Sequence, residues 1–401
     1  MTEWKMYRLG DLCDTISDTY KGNAKSVVLI NTSDVLEGKC LNHTKEPNQN
    51  LKGQFKKTFK QYDILYSEIR PANKRFAYID FDATDYIAST KLMVLRHNEK
   101  IEPLYLYYIL QSQGVIDELQ MLAESRSGTF PQITYSELSR LEVKLPNRVI
   151  QKQILGILGA IDDKIENNRR INTNLELQAQ ALYKQWFVDF EFPNEEGKPY
   201  KSSGGKMVDS ELGLIPEGWR VGTLSDLANV TMGQSPNGKS FNENGNGIVF
   251  YQGRTEFGVR YPSIRLYTTE PTRYAEPMSV LLSVRAPVGD INIATQRCCI
   301  GRGVASIKSK TDDNAYMYCC LKELRPQLDQ YNGEGTVFGS INRKELEGLS
   351  LCVPKEEIIT SFNNSILGMD KQMFNLCKEN KTLATLRDTL LPKLMNGEIK
   401  I

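Results

Sequence analysis

The sequence predicts an α+β fold made of two copies of one plan, each a variable region of short strands followed by a long helix. Three observations predict it: an internal repeat, two helical seams of matching period, and short apolar runs separated by polar turns. The repeat comes first, because long-period self-similarity decides architecture before any motif does. Trp4, Leu9, Asp11 and Leu12 recur 215 positions later as Trp219, Leu224, Asp226 and Leu227. Arg70, just after Ile64-Leu-Tyr, recurs at that offset as Arg285, just after Val280-Leu-Leu. Further on the offset is 207 to 208: Gly128-Thr129 becomes Gly335-Thr336, and Ile133, Leu138, Leu141 and Pro146 become Ile341, Leu346, Leu349 and Pro354. The drift implies deletions inside one variable region.

The segment after each variable region is helical by periodicity. Alternating +4/+3 steps from Ile154 read Ile154, Leu158, Ile161, Ile165, Asn168, Asn172, Leu175, Ala179, Leu182 and Trp186. The same series at offset 208 reads Phe362, Ile366, Met369, Met373, Leu376, Asn380, Leu383, Arg387, Leu390 and Leu394. Eight of ten positions are apolar in each copy, the pattern of a coiled-coil seam rather than of a surface helix drifting at 3.6. Asn172 and Asn380, each near the middle of its seam, are the candidate register-setting residues and are expected to meet across the pair. The resulting segments are a variable region at 1–145, a helix at 146–188, a connector at 189–215, a second variable region at 216–353 and a second helix at 354–401. The connector is marked by the Pro, Gly and Ser density of Phe190 to Gly205.

Composition narrows the function classes. The chain has 401 residues, 40% hydrophobic and 25% charged, which suits a globular protein of several domains. Lys plus Arg is 50 against Asp plus Glu at 49, so no bulk positive field advertises nucleic acid or lipid. No run approaches 18 apolar residues, and Met1-Thr-Glu-Trp-Lys-Met lacks the apolar core of a signal peptide, so no membrane contact and a cytoplasmic location are expected. Eight Cys without a C-x-x-C and only His43 and His97 give no zinc-ligand spacing, and no metal site is expected.

Catalytic motifs fail on context. Gly233-Gln-Ser-Pro-Asn-Gly238-Lys239-Ser240 matches the phosphate-loop pattern, but the turn-rich run Phe241 to Gly247 follows where a helix N-terminus should face the anion. Glu195-Glu196-Gly197-Lys198 resembles part of a carboxylate-lysine nuclease site, yet it sits in the connector with no partner Asp on a strand. No G-x-G-x-x-G opens a strand-to-helix turn and no Pro-Pro pair is present. No catalytic residue is expected. Two other classes stay open: a repeat-built coiled-coil adaptor that binds no DNA, and a nucleotide hydrolase using Lys239.

The variable regions read as short strands: Val27–Ile30, Ile64–Tyr66, Leu92–Leu95, Ile248–Tyr251, Val280–Leu282 and Val304–Ile307, with helices near Pro103–Leu110 and Tyr316–Leu321. Their loops carry planar hydrogen-bonding side chains. In the first region these are Asn31, Thr32, Ser33, Ser67, Arg70, Asn73, Lys74, Arg75 and Arg126; in the second, Gln252, Arg254, Thr255, Ser283, Arg285 and Arg302. Residues 1–145 carry 19 basic and 19 acidic groups, and 216–353 carry 15 and 14, ten of the 15 being Arg. Charge therefore does not indicate DNA, but the side-chain types do suit base-edge readout, since Arg pairs bidentately with guanine and Asn or Gln with adenine.

These residues carry a resemblance. The duplicated plan, together with Ala181-Leu-Tyr-Lys-Gln-Trp-Phe-Val-Asp-Phe-Glu-Phe192, Leu214-Ile-Pro-Glu-Gly-Trp219 and Leu386-Arg-Asp-Thr-Leu-Leu-Pro-Lys-Leu-Met-Asn-Gly-Glu398, resembles the specificity subunit of type I restriction-modification systems over essentially the whole chain. The resemblance implies two target recognition domains, each a small twisted β-sheet with a few helices, separated by two long antiparallel coiled-coil helices. It implies a non-catalytic chain whose domains each read half of a bipartite double-stranded DNA site. The helices would dock two modification (methyltransferase) subunits, joined by ATP-dependent restriction subunits. S-adenosylmethionine, ATP and Mg²⁺ would belong to those partners. The family's glutamine-rich helix entry appears as Ile150-Gln-Lys-Gln153, whereas the second copy, Glu356-Glu-Ile-Ile-Thr, departs from it, which sets the two docking surfaces apart. A 33-residue seam is about 50 Å long, against about 35 Å for one duplex turn, so the helices suit the role of a ruler.

Overall fold

Apolar runs flanked by turn residues become strands, and the longest of them, buried on both faces, sit at the sheet centres. The computed structural model describes residues 4–48, 53–125, 131–332 and 339–401. It divides into one unit of Met1–Glu166 with Asn380–Ile401 and another of Asn167–Glu379. In the first unit the strands Cys13–Ile16, Leu92–His97, Ile64–Ser67 and Phe76–Tyr78 form, in that order, an antiparallel sheet. A second sheet orders Glu46–Pro47, Ser26–Ile30, Tyr86–Ser89 and Phe55–Lys57, with Ser26–Ile30 parallel to Tyr86–Ser89. Lys5–Arg8 pairs with Glu142–Leu145 and closes the region on itself.

The second unit repeats this plan. Ala228–Met232, Val304–Ser309, Val280–Ser283 and Ile291–Ile293 form the antiparallel sheet, and Ile248–Tyr251 lies parallel to Cys298–Ile300 in a five-stranded one. Arg220–Thr223 pairs with Ser350–Val353. The sequence missed the amphipathic helix Gln113–Glu124, which buries Ile116, Leu119 and Ala123. It also read the connector only as a link. The structure instead folds its end into a hairpin of Met207–Ser210 with Gly213–Pro216, and stacks Phe192 on Trp219 at 5.0 Å and on Tyr200 at 4.6 Å. Burying three aromatic rings together offsets the ordering of so Gly-rich a segment.

The two expected seams become the helices Arg148–Phe187 and Glu356–Met395, and none of the twenty seam positions is exposed. They run antiparallel. In the first unit Asp162 faces Arg387; in the second Asn168 faces Glu379 and Asn172 faces Cys377, numbers rising on one helix as they fall on the other. Each helix end enters a core. Ile154, Leu158, Leu391, Leu394 and Met395 pack with Leu9 and Tyr105 in the first unit, while Tyr183, Trp186, Phe187 and Phe362 pack with Trp219 and Tyr316 in the second. Gly397 lies against Trp4, so the end of the second helix meets the start of the first region. Gln151 is buried, its amide donating to Pro146 O and Lys100 O and accepting from Glu102 N, whereas the equivalent Ile359 fills its place with hydrocarbon.

Candidate nucleic-acid interface

Parallel neighbouring strands end on the same edge, so the loops that follow them leave the sheet together. In the second unit these loops are Gln252 to Thr255 and Gly301-Arg302-Gly303. Gly301 N donates to Tyr251 O at 2.8 Å, and Val284 N donates to Gly303 O at 3.0 Å, which draws the turn after Val280–Ser283 to the same edge. A Cβ on Gly301 would lie 2.9 Å from Gln252 O, so only glycine permits this approach. Gln252, Arg285 and Arg302 are exposed there, and none of their side chains has a protein partner among the described residues. Thr255 is exposed as well, and Arg254 is held by Asp290 at 2.6 Å, a carboxylate that Arg325 shares at 3.1 Å.

The first unit builds the corresponding edge from Asn31 to Ser33, Arg70 to Arg75 and the turn before Leu92. Asn31 N donates to Asp34 Oδ2 at 2.7 Å, shaping the single turn Thr32–Asp34. Arg70 and Lys74 adopt left-handed backbones on either side of Pro71–Asn73, with φ of 45° and 53°. Arg70 and Asn73 are exposed and Lys74 half-buried. Glu68 N donates to Lys91 O at 3.0 Å, repeating the tie between Val284 and Gly303. Beneath this edge Lys57 Nζ donates to Leu92 O at 2.8 Å, and burial lowers its ammonium below the usual range.

Three sequence-derived candidates turn inward. Ser67 and Ser283 are buried: Ser67 Oγ accepts from Ile69 N, and Ser283 Oγ donates to Pro287 O and accepts from Asp290 N. Arg75 donates to Ser33 O at 3.1 Å and Val35 O at 3.4 Å, so it braces the Asn31 loop. These three brace the turns and loops of the edge instead of reaching outward. Arg126, Gly128-Thr129 and Gly335-Thr336 lie outside the described residues. The Asn172 amide donates to Cys377 Sγ at 3.3 Å, three positions short of the Asn380 the sequence assigned to it.

Register also corrects the repeat. Arg70 N donates to Pro131 O and Ala286 N to Gly339 O, while Ile69 bridges Gln132 and Arg285 bridges Ser340. The offset at this turn is therefore 216: Arg285 corresponds to Ile69, and Arg70 to Ala286. Between the strands Leu92–His97 and Val304–Ser309 the offset is 212, which makes Thr90 and Lys91 the counterparts of Arg302 and Gly303. Thr90 and Lys91 were missed, though their place immediately before a repeated strand could have found them. The phosphate-loop pattern leads from the single turn Gly238–Ser240 into the strand Phe241–Asn242, so no helix faces an anion there. Among the described residues no group of three or more His, Cys, Asp or Glu could hold a metal ion.

A strand-and-turn edge of planar polar side chains, presented twice and continued each time by a long helix, defines a two-module recognition protein. The sequence profile described as "Type I restriction modification DNA specificity domain" matches residues 1–177 and 216–373. The chain is 32% identical to the type I restriction enzyme HindI specificity subunit of Haemophilus influenzae over 100% of both chains. It is 33% identical to the putative MjaX specificity subunit of Methanocaldococcus jannaschii over 84% of this chain and 79% of that one. Among solved structures, the S subunit of a type I system from M. genitalium matches with TM-score 0.55 at 17% identity, covering 98% of this chain and 96% of that one. The HsdS subunit from Thermoanaerobacter tengcongensis matches at 26% identity and TM-score 0.41, covering 99% and 97%. The chain belongs to the type I restriction-modification DNA specificity family.

Proposed function

We propose that this chain is the DNA-reading subunit of a type I restriction-modification complex, each unit reading one half of a bipartite site. The observation that carries the reading is the duplicated edge, with Arg70, Asn73 and Lys74 on one copy and Gln252, Arg285 and Arg302 on the other. Exposed guanidinium and amide groups without partners among the described residues suit bidentate contact with base edges. A 40-residue helix is about 60 Å long, the scale that a split site spanning more than one duplex turn requires. The helices dock two modification subunits that use S-adenosylmethionine, and restriction subunits that use ATP and Mg²⁺ join them. The complex works in the cytoplasm; no helix among the described residues is long and apolar enough to cross a membrane.

The test is the adenine methylome of the source organism with and without the gene. Loss of one motif of two short half-sites separated by an unspecified gap supports the reading, and an unchanged methylome overturns it in favour of a coiled-coil adaptor. With near-balanced charge, the isolated chain is expected to bind its site weakly and with strong salt dependence, the partners supplying phosphate contacts.

A further inference from the structure

In each unit the loop that carries the candidate readers touches a long helix, Lys39 pairing with Glu166 in the first and Arg260 with Asp370 in the second, and beside each contact an aspartate meets a cation that comes from a different element. Tyr78 N donates to Gly38 O and Ile293 N to Arg260 O, so Gly38 and Arg260 are equivalent. Gly38 lies against Tyr107, and a Cβ there would sit 2.1 Å from the Tyr107 hydroxyl. Arg260 lies over the ring of Tyr318, its guanidinium carbon 4.1 Å from the centroid. Beside each tyrosine stands an aspartate at the same seam offset, Asp162 and Asp370. Asp162 accepts from Tyr108 Oη at 2.6 Å and from Arg387, on the facing helix, at 2.8 Å. Asp370 is paired with the buried Arg260 instead. The seam position equivalent to Arg387 is Ala179, which falls opposite Asp370 in the register that sets Cys377 opposite Asn172.

Resting on the recognition reading above, we propose that this aspartate-cation-tyrosine cluster positions each reader loop, the cation coming from the loop in the second unit and from the facing helix in the first. Arg260 and Arg387 are thus positioning residues, each for its own half-site. Arg260 fixes the segment that begins at Gln252, Arg254 and Thr255. Around Gly38, Tyr107 and Asp162, Arg387 completes the seat of the segment that begins at Asn31.

The test returns full-length variants to cells lacking the gene and reads adenine methylation. With the wild-type chain restoring one split motif, R260A is expected to relax base preference about tenfold in one half of that motif, and R387A in the opposite half. The graft R260G/A179R, which copies the first unit's arrangement into the second, is expected to restore the preference that R260A loses. If R260A abolishes methylation altogether, rescue by the graft supports the assignment and absence of rescue overturns it. Equal relaxation of both halves by either variant, or of neither, also overturns it. Failure of the wild-type chain to restore any split motif overturns the recognition reading itself, which separates the two.

Discussion

The two units share a skeleton and differ in how their loops are fastened to it. Both place the loop after the first parallel strand against the strand that follows the turn at Arg70 or Arg285. In the first unit the backbone ties the loop twice, Gly38 N donating to Phe76 O and Gly38 O accepting from Tyr78 N, and the Arg75 side chain adds its bonds to Ser33 O and Val35 O. In the second, one backbone bond from Ile293 to Arg260 remains, and the Asn292 side chain supplies the rest by donating to Gly258 O and accepting from Gly258 N, each at 3.0 Å. The fastening can thus pass between backbone, loop side chain and helix side chain while the strands keep their register. A fold with this property tolerates divergence of its loops, which two modules reading different sequences require.

The largest effect that breaks the comparison is expected at the cation. Arg260 and Asp370 are both buried, and burial raises the Asp370 carboxyl even with Arg260 beside it. Arg260→Ala strands that carboxylate, and a loss of about 3 to 5 kcal/mol in urea unfolding is expected. Arg387 and Asp162 are each about a third exposed, and Asp162 keeps its bond from Tyr108, so Arg387→Ala is expected to cost about 1 kcal/mol. Equal losses would mean that the two clusters are energetically interchangeable.

Next is the glycine that makes room in the first unit. Gly38 has φ of +92° and no space for a Cβ, so Gly38→Val is expected to cost about 3 kcal/mol through backbone strain and the clash with Tyr107. A smaller contrast lies in the buried serines. The Ser283 hydroxyl fastens both Pro287 and Asp290, and through Asp290 the exposed Arg254, whereas among the described residues the Ser67 hydroxyl bonds to Ile69 alone. Ser283→Ala is expected to cost about 1 to 2 kcal/mol and Ser67→Ala about half of that, read from the same unfolding curves.

Much of this architecture was legible in the sequence, because buried positions tolerate little change. Leu9, Leu12 and Leu224 are fully buried, and they mark the repeat; the seams were legible because a helix pair needs one apolar residue every three or four. The parallel strand pairs were not legible, since an apolar run reports burial and not its neighbour. Nor was the true partner of Arg285, because a one-residue insertion inside a variable region shifts the offset without leaving a motif. Residue type singled out the loops at the shared sheet edge as candidates, but it could not separate Arg70, which faces outward, from Arg75, which braces Ser33. Arg260 escaped notice altogether. Its counterpart is a glycine and its partner lies 110 residues away, so neither composition nor spacing singles it out.

The smallest expected effect concerns the capping aspartates that open the two copies. Asp11 and Asp226 occupy equivalent places: Asp11 accepts from Arg8 N at 3.2 Å, and Asp226 accepts from Thr223 N at 2.7 Å. In the second copy the Arg220 guanidinium also donates to Asp226 at 2.8 Å, and with the Thr223 amide it holds the carboxyl down at about 2. An unfolded aspartate titrates near about 3.9. Because the folded value is the lower of the two, the stabilisation by Asp226 is fully present above about pH 4 and disappears as pH falls toward about 2. Wild type is therefore expected to unfold at higher urea than Asp226→Asn at neutral pH, with the two curves converging between about pH 4 and pH 2. A gap that stays constant across that range would mean that Asp226 acts through shape and not charge. Capping alone would then suffice in both copies, with Arg220 adding nothing to the second.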